Sequence, residues 1–440
     1  MKRGGKILGI TVAVIVSLSG SFYAYLAYRS AAAARTPISR YATGLVRINM
    51  HALYRSMLPE YLGRKRKSRA SLLEGLEIPS DIFFYTVKDK HNTTVFGSLK
   101  IADPDAFAQT VAGWGLILLG NNISESPKLA ANASRTLTVA YNNKQVVLAF
   151  SLERENVQPV LLDIVRGNNI IPVKESPFKD ILKEDGHVVF LSDAGEAVVN
   201  FCKGAVKADM SLQLPGLIIP DHVQRHIPAE QQPMISLWLY TKGAQWLQDV
   251  RIGDIQLNKD SLSNFHLQGM EIMISGSVIQ RDSVITYEYN DDFEKVPVVT
   301  VQENSVPGMK ALISCNSRGL YGYLQRLDII EPDSNRVNRK VFPLFQLYAH
   351  PGDTFLQVAT LREATHPGKI ESTPEFFGMK IDFKQLAKQK DFSFLSSYIR
   401  KLDSLDAGAT KCGDGTVALR AELLFKEKGS NAIWQVMESL

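Results

Sequence analysis

Past the first thirty or so residues, the chain alternates short stretches in which every second residue is apolar with stretches whose apolar residues recur every three or four positions. The first pattern reads as strands with one buried face, the second as amphipathic helices of about three turns. Residues 136–141, then Asn142-Asn143, then 145–150 predict a β-hairpin, because paired Asn tolerates the positive φ of a tight turn. A second hairpin is predicted over residues 271–279 and 284–287, turning at Arg281-Asp282. Asp103-Pro104-Asp105 starts a helix, with an Asp cap, Pro at the first helical position and an acid in the first turn.

Five segments share a further order: a strand, a polar capping residue, then a helix whose first apolar anchor follows four or five places on. They lie at residues 45–49, 187–193, 235–241, 311–316 and 377–382, and two continue in parallel, Asn49 to Tyr54 against Asn316 to Tyr321. Their spacing is irregular, which predicts duplication of a strand–helix unit inside globular domains rather than a solenoid. The expected fold class is therefore α+β: two related domains of antiparallel sheets with helices on one face, preceded by a transmembrane helix. The domains are expected at residues 37–213 and 234–440, joined by a linker over 214–233 that holds Pro215, Pro220, Pro228 and Pro233.

The transmembrane expectation rests on residues 7–28, which carry no charge and as a helix would span roughly 33 Å. Lys2, Arg3 and Lys6 precede the run like the start of an export signal, and small residues from Ser30 follow it. An uncleaved anchor is the preferred reading over a cleaved signal peptide, since the run exceeds the usual signal core. Residues 1–36 thus form a short basic tail and anchor. The expected placement is the bacterial inner membrane, single-pass, with the body in the periplasm. Arg29, Arg35, Arg40 and Arg47 after the span leave a cytoplasmic-facing scaffold as a further reading.

At 440 residues with 45% apolar and 22% charged positions, the chain has the composition of an ordinary folded protein, and three cysteines are too few to staple it. The net charge of +5 is unevenly placed. Residues 1–70 hold thirteen Lys or Arg against Glu60 alone, so the remainder is net acidic and a nucleic-acid-binding face is excluded as the leading reading. The N-terminal apolar run, the repeated strand–cap–helix openings and the closing hairpin and helix over 416–425 and 430–440 resemble uncharacterised N-terminally anchored envelope proteins of Bacteroides-type bacteria. That resemblance implies a periplasmic α+β body and brings no active-site residue with it.

Local chemistry is sparse. Arg64, Lys65, Arg66, Lys67 and Arg69 form a basic run suited to anionic headgroups or an acidic partner, or else a solvated loop. His222 and His226 have helical metal-ligand spacing but no accompanying Glu and flanking prolines, which favour an exposed linker. His350-Pro351-Gly352 and His366-Pro367-Gly368 read first as turns bounding one strand, second as the rim of a groove. Asp403, Asp406 and Asp414 lack the order of a calcium loop, and Cys202, Cys315 and Cys412 read as buried thiols. Asn92, Asn122 and Asn132 lie in glycosylation-type tripeptides. No nucleotide loop, nucleophile elbow, zinc-protease motif or paired-cysteine motif occurs. No cofactor is expected. The leading function is a non-enzymatic binding or structural module of the cell envelope, with the lipid bilayer and a protein, peptide or envelope polymer as partners. The alternative is an extracytoplasmic hydrolase or metal-assisted enzyme, most plausibly at the His350 and His366 loops.

Overall fold

The computed structural model describes residues 25–63, 73–119, 127–227, 233–242, 249–252, 255–289, 293–365 and 368–437. The chain divides into two compact units, Met1–Cys202 and Lys203–Leu440. In the first, the principal strands are β1 (Ala42–Asn49), β2 (Asp81–Val87), β3 (Val95–Ile101), β4 (Lys128–Ala131), β5 (Leu137–Tyr141), β6 (Gln145–Phe150), β7 (Val188–Ser192) and β8 (Gly195–Cys202). They pair antiparallel in the order β8-β7-β1-β2-β3-β6-β5-β4. Strand β2 shows why the ladder forms: Asp81, Phe83, Tyr85 and Val87 alternate inward along it. Helix α1 (Met50–Gly63) follows β1, α2 (Pro104–Gly113) follows β3, and α3 (Gln158–Arg166) follows β6.

The two faces of β6 meet different helices. Val147 and Ala149 join the cluster that holds Leu161 and Ile164 of α3, whereas Val146 joins Phe107 and Val111 of α2. The expectation of helices on a single face is corrected accordingly. A buried charge pair locks the first of these clusters. Arg47 Nε donates to Asp81 Oδ1 at 2.7 Å, Ser80 Oγ donates to Asp81 Oδ2 at 2.9 Å, and Arg47 Nη1 donates to the carbonyls of Ile181 and Glu184.

In the second unit the principal strands are β9 (Ala205–Leu212), β10 (Val223–Ile227), β11 (Ile235–Tyr240), β12 (Gly269–Tyr289), β13 (Lys295–Ser314), β14 (Tyr348–Pro351), β15 (Phe355–Ala359), β16 (Lys369–Thr373), β17 (Glu375–Asp382), β18 (Leu402–Lys411) and β19 (Val417–Phe425). The main sheet runs β9-β19-β18-β17-β11-β12-β13-β15-β14, again antiparallel throughout. Strands β10 and β16 pair separately. Helix α4 (Ser317–Arg326) follows β13 and α5 (Phe383–Leu386) follows β17. Seven strands of each unit share one winding: β8-β7-β1-β2-β3-β6-β5 in the first has the same chain order and neighbours as β18-β17-β11-β12-β13-β15-β14 in the second. In both, a helix follows the third strand of that set, after a side-chain cap: Asp103 accepts from Asp105 N and Ala106 N, and Asn316 accepts from Gly319 N.

The α+β class with an N-terminal transmembrane helix is corrected. The described chain is mostly antiparallel strand, and among its described residues no helix is long and apolar enough to cross a membrane. Residues 7–24 of the apolar run lie outside the described residues; residues 25–33 are helical, and Ala33 is buried in the core of the first unit. The signal-anchor, single-pass and inner-membrane expectations, which rested on that span, are corrected with it. Two local readings also change. Residues 187–193 run into the hairpin β7–β8, whose turn uses Gly195 at φ 142°, and not into a helix. Arg281 and Asp282 lie inside one 21-residue strand and not at a turn. Residues 214–233, read as a linker, contain β10.

Removing one member of the Arg47–Asp81 pair strands a buried charge. Asp81→Ala is expected to lower the unfolding free energy by about 3–5 kcal/mol, and Arg47→Met with Asp81→Leu by much less, as measured by denaturant titration.

Candidate functional site

Two features of the second unit stand out: a closed polar cluster under the sheet and an open apolar face on its longest hairpin. The cluster begins with one row across the sheet. Gly408, Gly378, Trp238, Glu271, Leu312, Gln357 and His350 face one another on successive strands from β18 to β14, and so project from the same side. Gly378 is required by the indole, whereas a Cβ at Gly408 would meet the Glu375 carboxylate at 3.0 Å. A Cβ at Gly378 would lie 2.0 Å from Trp238 Cζ2, so the ring occupies the space a side chain on β17 would take. Trp238 Nε1 donates to the carbonyl of Glu375 at 3.2 Å, and the Arg225 guanidinium stacks on the ring 3.2 Å from its centre.

Glu271, next in the row, is 2% exposed. Its Oε1 accepts from His226 N at 2.9 Å, from His226 Nδ1 at 3.2 Å and from the Tyr240 hydroxyl. The carboxylate thereby selects the Nδ1–H tautomer of His226. Burial, reinforced by the neighbouring carboxylate, pushes the Tyr240 phenol well above its ordinary range, so it acts as a fixed donor. Burial likewise lowers Arg225 and Lys310, each opposed by the attraction of Glu271. An acid, an imidazole and a phenol are thus brought together, as an enzyme would need. Glu271 Oε1, His226 Nδ1 and the Tyr240 hydroxyl are bonded to one another, however, and all three residues are buried. The arrangement pins the β10–β16 strand pair to the sheet.

The open feature is the distal part of β12 and β13. Past a bulge between Ile274 and Ser277 the two strands continue as a ribbon, in register to Tyr289 opposite Lys295. Neither β11, which pairs β12 up to Ile274, nor β15, which pairs β13 from Lys310, follows them. The odd-numbered face carries the facing pairs Arg281–Glu303, Ser283–Val301, Ile285–Val299, Tyr287–Pro297 and Tyr289–Lys295. Ile285 is 61% exposed, Tyr287 66% and Val299 65%. Below this apolar stretch Arg281 Nε meets Glu303 Oε1 at 2.9 Å, and on the opposite face Arg339 meets Asp282.

The residues singled out from sequence do not assemble into one site. Arg64, Lys65, Arg66, Lys67 and Arg69 lie outside the described residues, as do His366 and Asn122. His226 is buried on Glu271 on a strand, not a helix, while His222 is exposed. Asp403 is held by Lys384 at 2.6 Å and Lys428 at 2.9 Å, Asp406 by Lys380 at 3.2 Å, and Asp414 caps its own turn through Thr416. Among the described residues no group of three or more His, Cys, Asp or Glu could hold a metal ion. Cys202, Cys315 and Cys412 are free thiols, and burial pushes Cys315 up to about 11. Glu271 and the ribbon face were missed. The available signal was an acid in phase with Met273 on a strand, and an apolar alternation that continues through Arg281 and Asp282.

No family model matches the chain, and no curated protein matches it. A solved structure titled "Structure of crystal form IV of TP0453" aligns with 74% of this chain and 91% of its own at 8% identity, with a TM-score of 0.24. That score carries no argument about fold or function.

Two outcomes are expected. Glu271→Leu leaves three donors unanswered under the sheet and should cost on the order of 3 kcal/mol in denaturant unfolding, while Glu271→Gln, which keeps an acceptor, should cost less. Hydrogen bonds from Lys384 and Lys428 hold the Asp403 carboxyl below its usual range. A depressed carboxyl stabilises the fold above its unfolded pKa, and that stabilisation is lost as pH falls through the folded pKa. The gap in melting temperature between the wild type and Asp403→Asn should therefore be present at pH 7 and close in acid, below the ordinary carboxylate range.

Proposed function

We propose that this protein is a non-enzymatic binding module that meets a macromolecular partner through the odd-numbered face of the β12–β13 ribbon. The observation that carries the reading is the run Ile285, Tyr287, Val299 and Val301, all more than half exposed on one face of a two-stranded ribbon. Such a face loses stability to water for as long as it stays uncovered, at about 25 cal/mol per Å² of apolar area, and solvent-facing strands ordinarily carry polar residues there. Tyr287 and Tyr289, between its centre and its tip, are side chains of the kind interfaces favour, and an ion pair at its base has the place of a polar rim. The acid–base groups around Glu271 support the same reading from the other side, since they are engaged with one another beneath the sheet.

A photo-crosslinking residue at Val299 of the full-length chain, expressed in its native cells, tests the reading. Adduct yield should exceed that at Lys174, an exposed position of the first unit, and should collapse with Ile285→Asp. Equal yields at Val299 and Lys174 would overturn it.

A further inference from the structure

We propose that the occupant of the ribbon face is the same face of a second copy of this chain, the two ribbons running antiparallel about a two-fold axis centred on Ile285 and Val299. This rests on the reading of the ribbon as a binding arm and names its partner. The argument is charge and shape complementarity written into the register. From base to tip the face presents Arg281–Glu303, Ser283–Val301, Ile285–Val299, Tyr287–Pro297 and Tyr289–Lys295. A two-fold axis lying in the interface across the strands sets β12 against β12 and β13 against β13 of the partner, reversed in direction. With the axis at the Ile285–Val299 row, every row then meets its counterpart on the other side of the centre.

The consequences are specific. Lys295 of one copy stands opposite Glu303 of the other, and Arg281 opposite the Tyr289 ring, each contact occurring twice. Val301 meets Pro297 and Ser283 meets Tyr287. Ile285 and Val299 meet themselves. Opposite charges thus fall together at both ends of an apolar centre, which a random exposed strand pair has no reason to provide. The tip is already disposed to hold a cation against an aromatic ring, since Lys295 Nζ lies 5.9 Å from the centre of Tyr289. Both Arg281 and Glu303 are largely exposed, at 75% and 56% of their side chains, so neither is committed to the interior of its own chain. Two faces of this length, packed about 10 Å apart, would cover on the order of 500 Å² per copy, near the lower bound for a specific interface, so the dimer is weak and depends on concentration.

Reversed register offers a direct test by charge exchange. Full-length protein is followed by sedimentation velocity over a wide concentration range, with a mild non-ionic detergent in every sample so that the apolar residues 7–28 are shielded equally. The wild type should dimerise. Lys295→Glu sets like charges opposite one another at both ends and should weaken the dimer at least about tenfold, as should Glu303→Lys. Mixing the two variants, or combining them in one chain, should restore dimerisation to within about twofold of the wild type. Ile285→Asp, which places two carboxylates at the centre, should abolish it without changing the melting temperature of the monomer. A wild type that stays monomeric at every concentration, or single variants that fail to recover on mixing, would overturn the pairing. If the cellular adduct at Val299 then persists, the binding-arm reading stands and the adduct mass tells a different protein from a lipid surface; if the adduct is absent too, both fall.

Discussion

A carboxylate removed from water is stable only when its charge is answered by donors, and in the second unit that requirement is concentrated on Glu271. Its oxygen collects the His226 amide, the His226 ring and the Tyr240 hydroxyl. Those donors come from β10 and β11, while Glu271 belongs to β12, so one acceptor joins the separate β10–β16 strand pair to two central strands. The Trp238 indole beside it imposes the next constraint, because the neighbouring strand β17 must present glycine, at Gly378, where the ring lies. Arg225 closes the stack from above, held by the π-face of the indole. The first unit solves the same problem by pairing opposite charges, Arg47 with Asp81, and by using the arginine to tie two carbonyls to the sheet.

The strands that carry this buried order also carry the exposed ribbon. β12 and β13 pair with other strands, β11 and β15, only near their inner ends, and beyond the bulge at Ile274 the described pairing is only with each other. A two-stranded ribbon is marginal by itself, so its persistence depends on the sheet that anchors it. The cross-strand ion pair of Arg281 with Glu303 and the contact of Asp282 with Arg339 brace its base. A rigid base and an apolar, alternating face are what a recognition element needs, since little ordering entropy remains to be lost on contact.

Both units wind seven antiparallel strands in one order, with a capped helix after the third. What differs is the length of the second and third strands, seven residues each for β2 and β3 against 21 and 20 for β12 and β13. The exposed ribbon is therefore an elaboration of one hairpin of a shared scaffold.

Local chemistry was legible in the sequence alone. The hairpin around Asn142 and the caps at Asn49, Asp103, Asn316 and Asp382 depend on residues within a few positions of one another, and all five are present. Misreadings occurred where distant partners decide. Arg281 and Asp282 resemble a turn until Glu303 and Arg339, 22 and 57 residues away, satisfy them within a continuous strand. Residues 187–193 begin like a strand–helix unit but turn back at Gly195 because β7 also has β1 to pair with. Glu271 looks like any polar strand residue until its donors arrive from positions 226 and 240. Sequence determines which residues prefer a strand, a cap or a turn, because those preferences are set by the backbone and its nearest neighbours. Which polar groups are buried, and which apolar ones stay exposed, only the tertiary structure decides, because desolvation depends on what the rest of the chain brings to cover them.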